Sequence, residues 1–243
     1  MNYQSPSLNQ MVYDLKNTYS AGRTTKDFPQ VSDNQIKSWI ITKRSVYLNQ
    51  QLSKGKSIDA DFVQNLGCVS VNMVDRSTCC SEDIGCTFLR TSDDIPTFIQ
   101  ISRIGPVDTM AKKWDMVDYT RIPLEKYAPK YSRKFIKGFF TDFDRGLYIY
   151  YNPEYFPEGK YLTQINILAV LEDPTQASKF NNCITGSSCY DDNGNFPITL
   201  KLWDAIKKDI LQNELRLSVL TEEDDSNDSK SNPNQNQLKN ARN

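Results

Sequence analysis

The stretch Ser32–Leu52 reads S-D-N-Q-I-K-S-W-I-I-T-K-R-S-V-Y-L-N-Q-Q-L, and its spacing predicts a helix around which the chain is organised. Ile36, Trp39, Ile40, Lys43, Val46, Tyr47 and Gln50 recur at three- and four-residue steps, so one face carries the apolar bulk. Ser32 with Gln35 has capping-box spacing, in which the hydroxyl accepts from an orphan amide and the side-chain amide reaches back. Burying each large side chain contributes roughly 1.5–3 kcal/mol. That makes the helix a core member, and an amphipathic helix alone implies packing, not chemistry.

Working outward, Ser5–Tyr19 reads as a first helix with Ser5 as N-cap, Pro6 at the first helical position and Gly22 as the stop. Its face of Leu8, Met11, Val12, Leu15 and Tyr19 is expected against the Trp39 stripe. A short third helix is expected from Ser57 through Phe62, Val63 and Leu66 to Gly67. Pro197 announces a last helix, in which Trp203, Ile206, Ile210, Leu217 and Leu220 keep a heptad-like register with Leu202 and Leu215 widening the stripe. Such a stripe either returns to the N-terminal helices of its own subunit or meets a neighbour. Between them, from Cys68, the period falls to two: segments near 68–74, 95–101, 114–122, 135–140, 147–151 and 164–171 alternate between Pro and Gly punctuation. The clearest hairpin is K-F-I-K-G-F-F, T-D-F-D-R-G, L-Y-I-Y-Y. The expected fold is α+β: N-terminal helices (1–67) and a long C-terminal helix (197–220) forming a bundle, a β-rich antiparallel insertion (68–196) and an extended polar tail (221–243).

Composition narrows the function. The chain has 243 residues, 38% hydrophobic, with 29 basic against 30 acidic side chains, so no global field attracts DNA or an acidic membrane. The N-terminus has no basic flank or apolar run, and the stretch Ile165–Leu171 is broken by Asn166, so a chain kept soluble in a cytoplasm is expected. There is no histidine, which removes the commonest general base and metal ligand. No phosphate loop, dinucleotide fingerprint or metalloprotease spacing occurs. An enzyme is disfavoured and no cofactor is expected.

Three clusters remain. Cys68, Cys79, Cys80, Cys86, Cys183 and Cys189 lack the paired knuckle spacing of structural zinc. Reduced structural thiols are expected, with disulfides and a metal site as alternatives. The run 121–137 holds Arg121, Lys126, Lys130, Arg133, Lys134 and Lys137 against Glu125, interleaved with Tyr127, Tyr131 and Phe135. It is a solvated loop or a docking strip, and the acidic run Glu222, Glu223, Asp224, Asp225 offers one partner. The pairs Asp142 and Asp144, and Asp191 and Asp192, sit in turn sequences where Asp bonds locally. From Thr221 to Asn243 only Leu238 and Ala241 are aliphatic, too little to offset ordering entropy, so the tail is expected to lie along a partner.

The Ser32–Leu52 run, followed by L-G-C-V-S-V-N-M-V-D-R-S-T-C-C-S-E-D-I-G-C, I-P-T-F-I and R-I-G-P-V-D, resembles a structural protein of crAss-like short-tailed bacteriophages, the head-to-tail connector or first ring protein beneath the portal. The resemblance implies a non-enzymatic virion component of the neck or tail, assembled in the host cytoplasm as a twelve-fold ring around a DNA channel. Its partners would be further copies of itself, the portal protein, other ring, tail or fibre proteins, and transiently DNA, with no membrane. The residues expected to meet partners are Trp203, Ile206, Ile210, Leu217, Leu220, Glu222, Glu223, Asp224, Asp225, Lys130 and Arg133. The alternative is a Cys-coordinated zinc module that binds nucleic acid through 121–137.

Overall fold

A computed structural model describes residues 5–20, 31–74, 88–105, 107, 116–118, 138–143, 145–151 and 161–215. Among them seven strands form one sheet: β1 (Gln64–Val74), β2 (Phe88–Thr91), β3 (Phe98–Gly105), β4 (Met116–Asp118), β5 (Gly138–Phe143), β6 (Gly146–Tyr151) and β7 (Gln164–Leu171). The order is β3-β7-β1-β2-β6-β5-β4, antiparallel except for the parallel pair β4 and β5. This overturns the expected bundle. The protein is mostly β, a curled, half-barrel-like sheet with few helices, and no long C-terminal helix is present among the described residues.

The reason lies in β1 and β7. β7 is an almost unbroken apolar run, with Ile165, Ile167, Ala169, Val170 and Leu171 fully buried, as suits a strand covered on both faces. β1 spans both halves of the sheet: Gln64–Ser70 pairs with β7, and Val71–Val74 pairs with β2. Register shifts interrupt the β1–β7 and β3–β7 ladders, and bulges of this kind bend a sheet. The expected third helix does not form. Residues 60–62 make one 3-10 turn, and β1 begins at Gln64, because Leu66 and Val69 are claimed by the sheet core. The expected hairpin does form, Phe143 pairing with Gly146 and Arg145 taking a left-handed φ of 56° in the turn.

Three helices pack on this frame. α1 (Leu8–Tyr19) is capped by Ser7, whose hydroxyl accepts from the Gln10 amide, and not by Ser5; Ser5 instead donates to the Ile198 carbonyl. α2 (Asp33–Ser53) starts at the expected cap, Ser32 accepting from the Gln35 amide. It stops in a Schellman pattern, Gly55 at φ +70° donating to Leu52 and Lys56 to Gln51. α3 (Leu200–Asp209) is capped by Thr199 and continues as one π-helical stretch, Ile210–Glu214. Its stripe of Leu202, Trp203, Ile206, Ile210 and Leu215 is buried in the chain's own core.

The inward face of α2 is not the one periodicity picked out. Ile36, Ile40, Arg44 and Leu48, at a strict four-residue step, are fully buried, whereas Val46 is 49% exposed and Tyr47 lies outward too. Arg44 is the reason. Its Nε donates to the Pro197 carbonyl at 2.8 Å and its Nη1 to the Leu171 carbonyl at 2.9 Å, with Nη2 at 3.5 Å from the Phe62 carbonyl. The guanidinium carbon lies 5.7 Å from the Phe62 ring centre and 5.8 Å from that of Phe196. Burial pushes its pKa down to about 10, opposed by the fields of Asp173 and Tyr190, so the charge persists at neutral pH. One side chain thus joins α2, the end of β7, the turn before β1 and the segment before α3.

Arg44→Ala should lower stability by roughly 3–5 kcal/mol, from orphaned carbonyls and a cavity together. Arg44→Lys should also destabilise, since an ammonium cannot serve diverging acceptors with a planar fork. Denaturant unfolding followed by circular dichroism checks both; a loss under 1 kcal/mol for the alanine variant would show that Arg44 is peripheral.

Candidate assembly cleft at the bulged end of the sheet

The start of β1 is shaped by N-L-G-C, residues 65–68. Gly67 has φ +65°, and a Cβ there would lie 2.2 Å from the Asn181 carbonyl oxygen, so no other residue fits without a backbone shift. The glycine lets the 180s loop close on the strand, where the Cys68 amide donates to the Asn181 carbonyl at 3.1 Å. The bulge is kept satisfied by Asn166, the polar interruption of β7, whose Nδ2 donates to Asn65 Oδ1 at 2.7 Å and to the Gly67 carbonyl at 3.2 Å. Asn65 Oδ1 also accepts from the Gly67 amide. A disulfide between Cys68 and Cys183, 115 residues apart, ties the loop down.

The loop itself is locally determined. Asn182 Oδ1 accepts from the Ile184 and Thr185 amides, its carbonyl accepts from the Gly186 amide, and its own amide donates to Ser187. Further on, the 190s are zipped to the N-terminal segment: the Asn9 amide donates to the Asp192 carbonyl and the Phe196 amide to that of Pro6. Lys37 Nζ reaches Asp192 Oδ2 at 2.6 Å. These constraints leave a cleft of about 550 Å³ between the turn at 60–65 and the loop at 182–197. Its walls carry Asn65, Asn182, Ser187, Ser188 and Asn195, and among the described residues its only charged lining residues are the exposed Asp61 and Asp191. Gln64 forms part of the wall; its Nε2 donates to the Pro174 carbonyl, and its buried Oε1 has no hydrogen-bond partner among the described residues. Tyr190 stacks edge-on to Phe196, and burial pushes its phenol pKa up.

Cys189, the free cysteine among the described residues, is half-buried, and burial raises its pKa away from the thiolate. Cys68 and Cys183 hold each other, which contrasts with the expected reduced thiols, and the described residues contain no cluster of His, Cys, Asp or Glu able to hold a metal. Cys79, Cys80 and Cys86 lie outside the described residues.

Of the residues expected to meet partners, Trp203 and Ile206 on α3 and Ile210 in the π-helical stretch are described, and each is at most 4% exposed. Leu217, Leu220, Glu222, Glu223, Asp224, Asp225, Lys130 and Arg133 lie outside the described residues, as do the whole run 121–137 and the tail 221–243. Asp191 and Asp192 take the turn and ion-pair roles, the Asn193 amide donating to Asp191 Oδ1. Periodicity missed Arg44, Gln64 and Gly67; the glycine next to a cysteine at the helix-to-strand change, and Asn166 inside an apolar run, were the available signals. At the far end of α3, Lys43 Nζ clamps Asp209 at 2.8 Å and Glu214 at 3.0 Å. Hydrogen bonds to Asp209 and then Glu214 raise the lysine pKa, and the bond to Lys43 lowers that of Asp209.

A family model described as phage tail ring protein 2, of the crAss type, matches residues 10–237. No curated protein matches the chain.

Gly67→Ala combines a left-handed φ with a backbone collision and should cost about 2 kcal/mol or more. Unaltered thermal unfolding of that variant would show that the loop does not close on β1. The Lys43 clamp should contribute under about 1 kcal/mol, because its members are about one-third exposed. The Asp209 share is complete above the ordinary carboxylate pKa and is lost as pH falls through its depressed value. The Lys43 share is complete below the ordinary lysine pKa and is lost as pH rises through its raised one. The stability difference between the parent chain and Lys43→Met, followed from pH 2 to pH 7, should therefore shrink at the acid end.

Proposed function

The chain belongs to the phage tail ring protein 2 family, and from that membership we propose that it is a structural subunit of the virion neck, one copy in a ring that joins the portal to the tail. The observation that carries the reading is the span of the family match, which takes in the helices, the sheet and the cleft together. The ring closes by heterologous contacts, in which one face of a subunit meets a different face of the next. Tyr13 at 64% exposure and Val46 at 49%, on the outward sides of α1 and α2, supply apolar surface suited to such a contact. Twelve copies enclose the channel through which DNA leaves, and a near-neutral chain lets the duplex pass without a strong electrostatic hold. The scaffold is a rigid spacer, and the segments after Leu215 engage neighbouring subunits or the portal.

Light scattering of the full chain, alone and mixed with the portal ring, tests this. The expected result is a particle carrying twelve times the 27.9 kDa of one copy, formed either alone or on the portal. A single copy in both conditions would overturn the reading. In the assembled state Tyr13→Lys with Val46→Lys should cut ring formation about tenfold or more, since charges would sit in an apolar contact, while thermal unfolding of the isolated chain stays unchanged.

A further inference from the structure

The cleft between 60–65 and 182–197 has the chemistry of a receptor for an extended, amide-rich, basic segment. Among the described residues that line it there are two carboxylates, Asp61 and Asp191, and no lysine or arginine. Its walls are dominated by side-chain amides and hydroxyls, which pair with side-chain amides and with an extended backbone. Its shape is set before any partner arrives, because the disulfide, the Gly67 contact and the Asn182 turn fix the loop in place.

One segment of this chain answers to that description. From Ser229 to Asn243 the sequence reads S-K-S-N-P-N-Q-N-Q-L-K-N-A-R-N, with Lys230, Lys239 and Arg242 and no acid, and seven of its fifteen residues are Asn or Gln. We infer that residues 230–242 of one copy seat in this cleft of the neighbouring copy, so that each subunit is strapped to the next. The inference rests on the ring reading above. Lys239 and Arg242 would face Asp61 and Asp191, and the Asn and Gln side chains would bond the amide walls.

The length of chain beyond Leu215 permits a seat on the neighbour. The cleft borders Pro197, at the start of the last helical stretch, and the chain leaves it at Leu215, on the order of 22 Å away at 1.5 Å per residue. Lys43 pins that far end to α2. The fifteen residues from Leu215 to Lys230 can span up to about 50 Å, comparable with the diameter of a subunit of this length, about 45 Å from its expected radius of gyration. The next copy's cleft is within reach, as is the copy's own, and the ring reading, in which each subunit must be joined to the next, selects the neighbour.

The test places a photo-reactive phenylalanine analogue at Leu238 in the full chain and assembles a one-to-one mixture of ¹⁴N- and ¹⁵N-labelled copies. After irradiation, mass spectrometry should find crosslinks to peptides spanning 60–65 or 187–195, half of them joining differently labelled copies. Lys230→Glu, Lys239→Glu and Arg242→Glu together should cut that yield about tenfold, since two rim charge pairs become repulsions and a third positive charge is reversed. Asp61→Lys, at an exposed position, should restore part of it. Crosslinks confined to one label, or to other surfaces within a ring that does form, would overturn the strap and leave the ring reading standing. A chain that stays a single copy with and without the portal would instead overturn the ring reading itself.

Discussion

The guanidinium of Arg44 is the one charge in the described core, and the rest of the structure is arranged to receive it. No carboxylate among the described residues lies within 4 Å of it, so its desolvation is offset by carbonyl dipoles, two ring faces and the more distant field of Asp173. Those acceptors come from places far apart in sequence: Leu171 at the end of β7, Pro197 ahead of α3, and Phe62 ahead of β1. A planar fork on a stiff helix fixes direction as well as distance. The apolar contacts around it, Ile36, Ile40 and Leu48 on the same side of α2, supply bulk burial energy but no comparable directional constraint.

From that junction the cleft follows. Phe196 lies beneath Arg44 and Tyr190 leans on Phe196, so the loop that walls the cleft is anchored from inside. On the other side, Gly67, Asn166 and the Cys68–Cys183 disulfide hold it to the sheet. A surface loop fastened at both ends is suited to repeated, identical contacts in a closed ring, where every interface must form with the same geometry. Burial raises the pKa of the free Cys189 thiol nearby, which disfavours its thiolate.

Local signals in the sequence were read correctly where backbone chemistry alone decides. Ser32 caps α2, Pro197 precedes the last helix, and the expected hairpin forms, though with a turn tighter than 141–146, since residues 141–143 belong to β5. The errors came where a tertiary partner decides. Counting only apolar side chains turned α2 toward Val46 and Tyr47, because a buried arginine is rare enough to be scored as solvent-facing. Residues 57–67 have helical spacing, yet Leu66 belongs to a strand, since the long run of β7 needs a neighbour and β1 provides it. The bundle expectation then followed from counting helices and treating the sheet as their insertion. The cleft was illegible for a related reason: its floor comes from the start of β1 and its rim from a loop more than a hundred residues later, and Gly67, Asn166 and Cys183 reveal their relation only once β1 and β7 are paired. The choice between an own-subunit and a neighbouring cover for Trp203, Ile206 and Ile210 likewise depended on a sheet that no periodicity in α3 encodes.

If Arg44 binds helices and sheet into one cooperative unit, native-state hydrogen exchange measures that directly. Amides within Ile40–Leu48, Leu66–Val71 and Ile165–Leu171 should exchange only through global opening, with one shared free energy and one shared denaturant dependence. Exchange of the α2 amides at a distinctly lower free energy than those of β1 and β7 would contradict the account, showing a helical layer that opens by itself above an independent sheet.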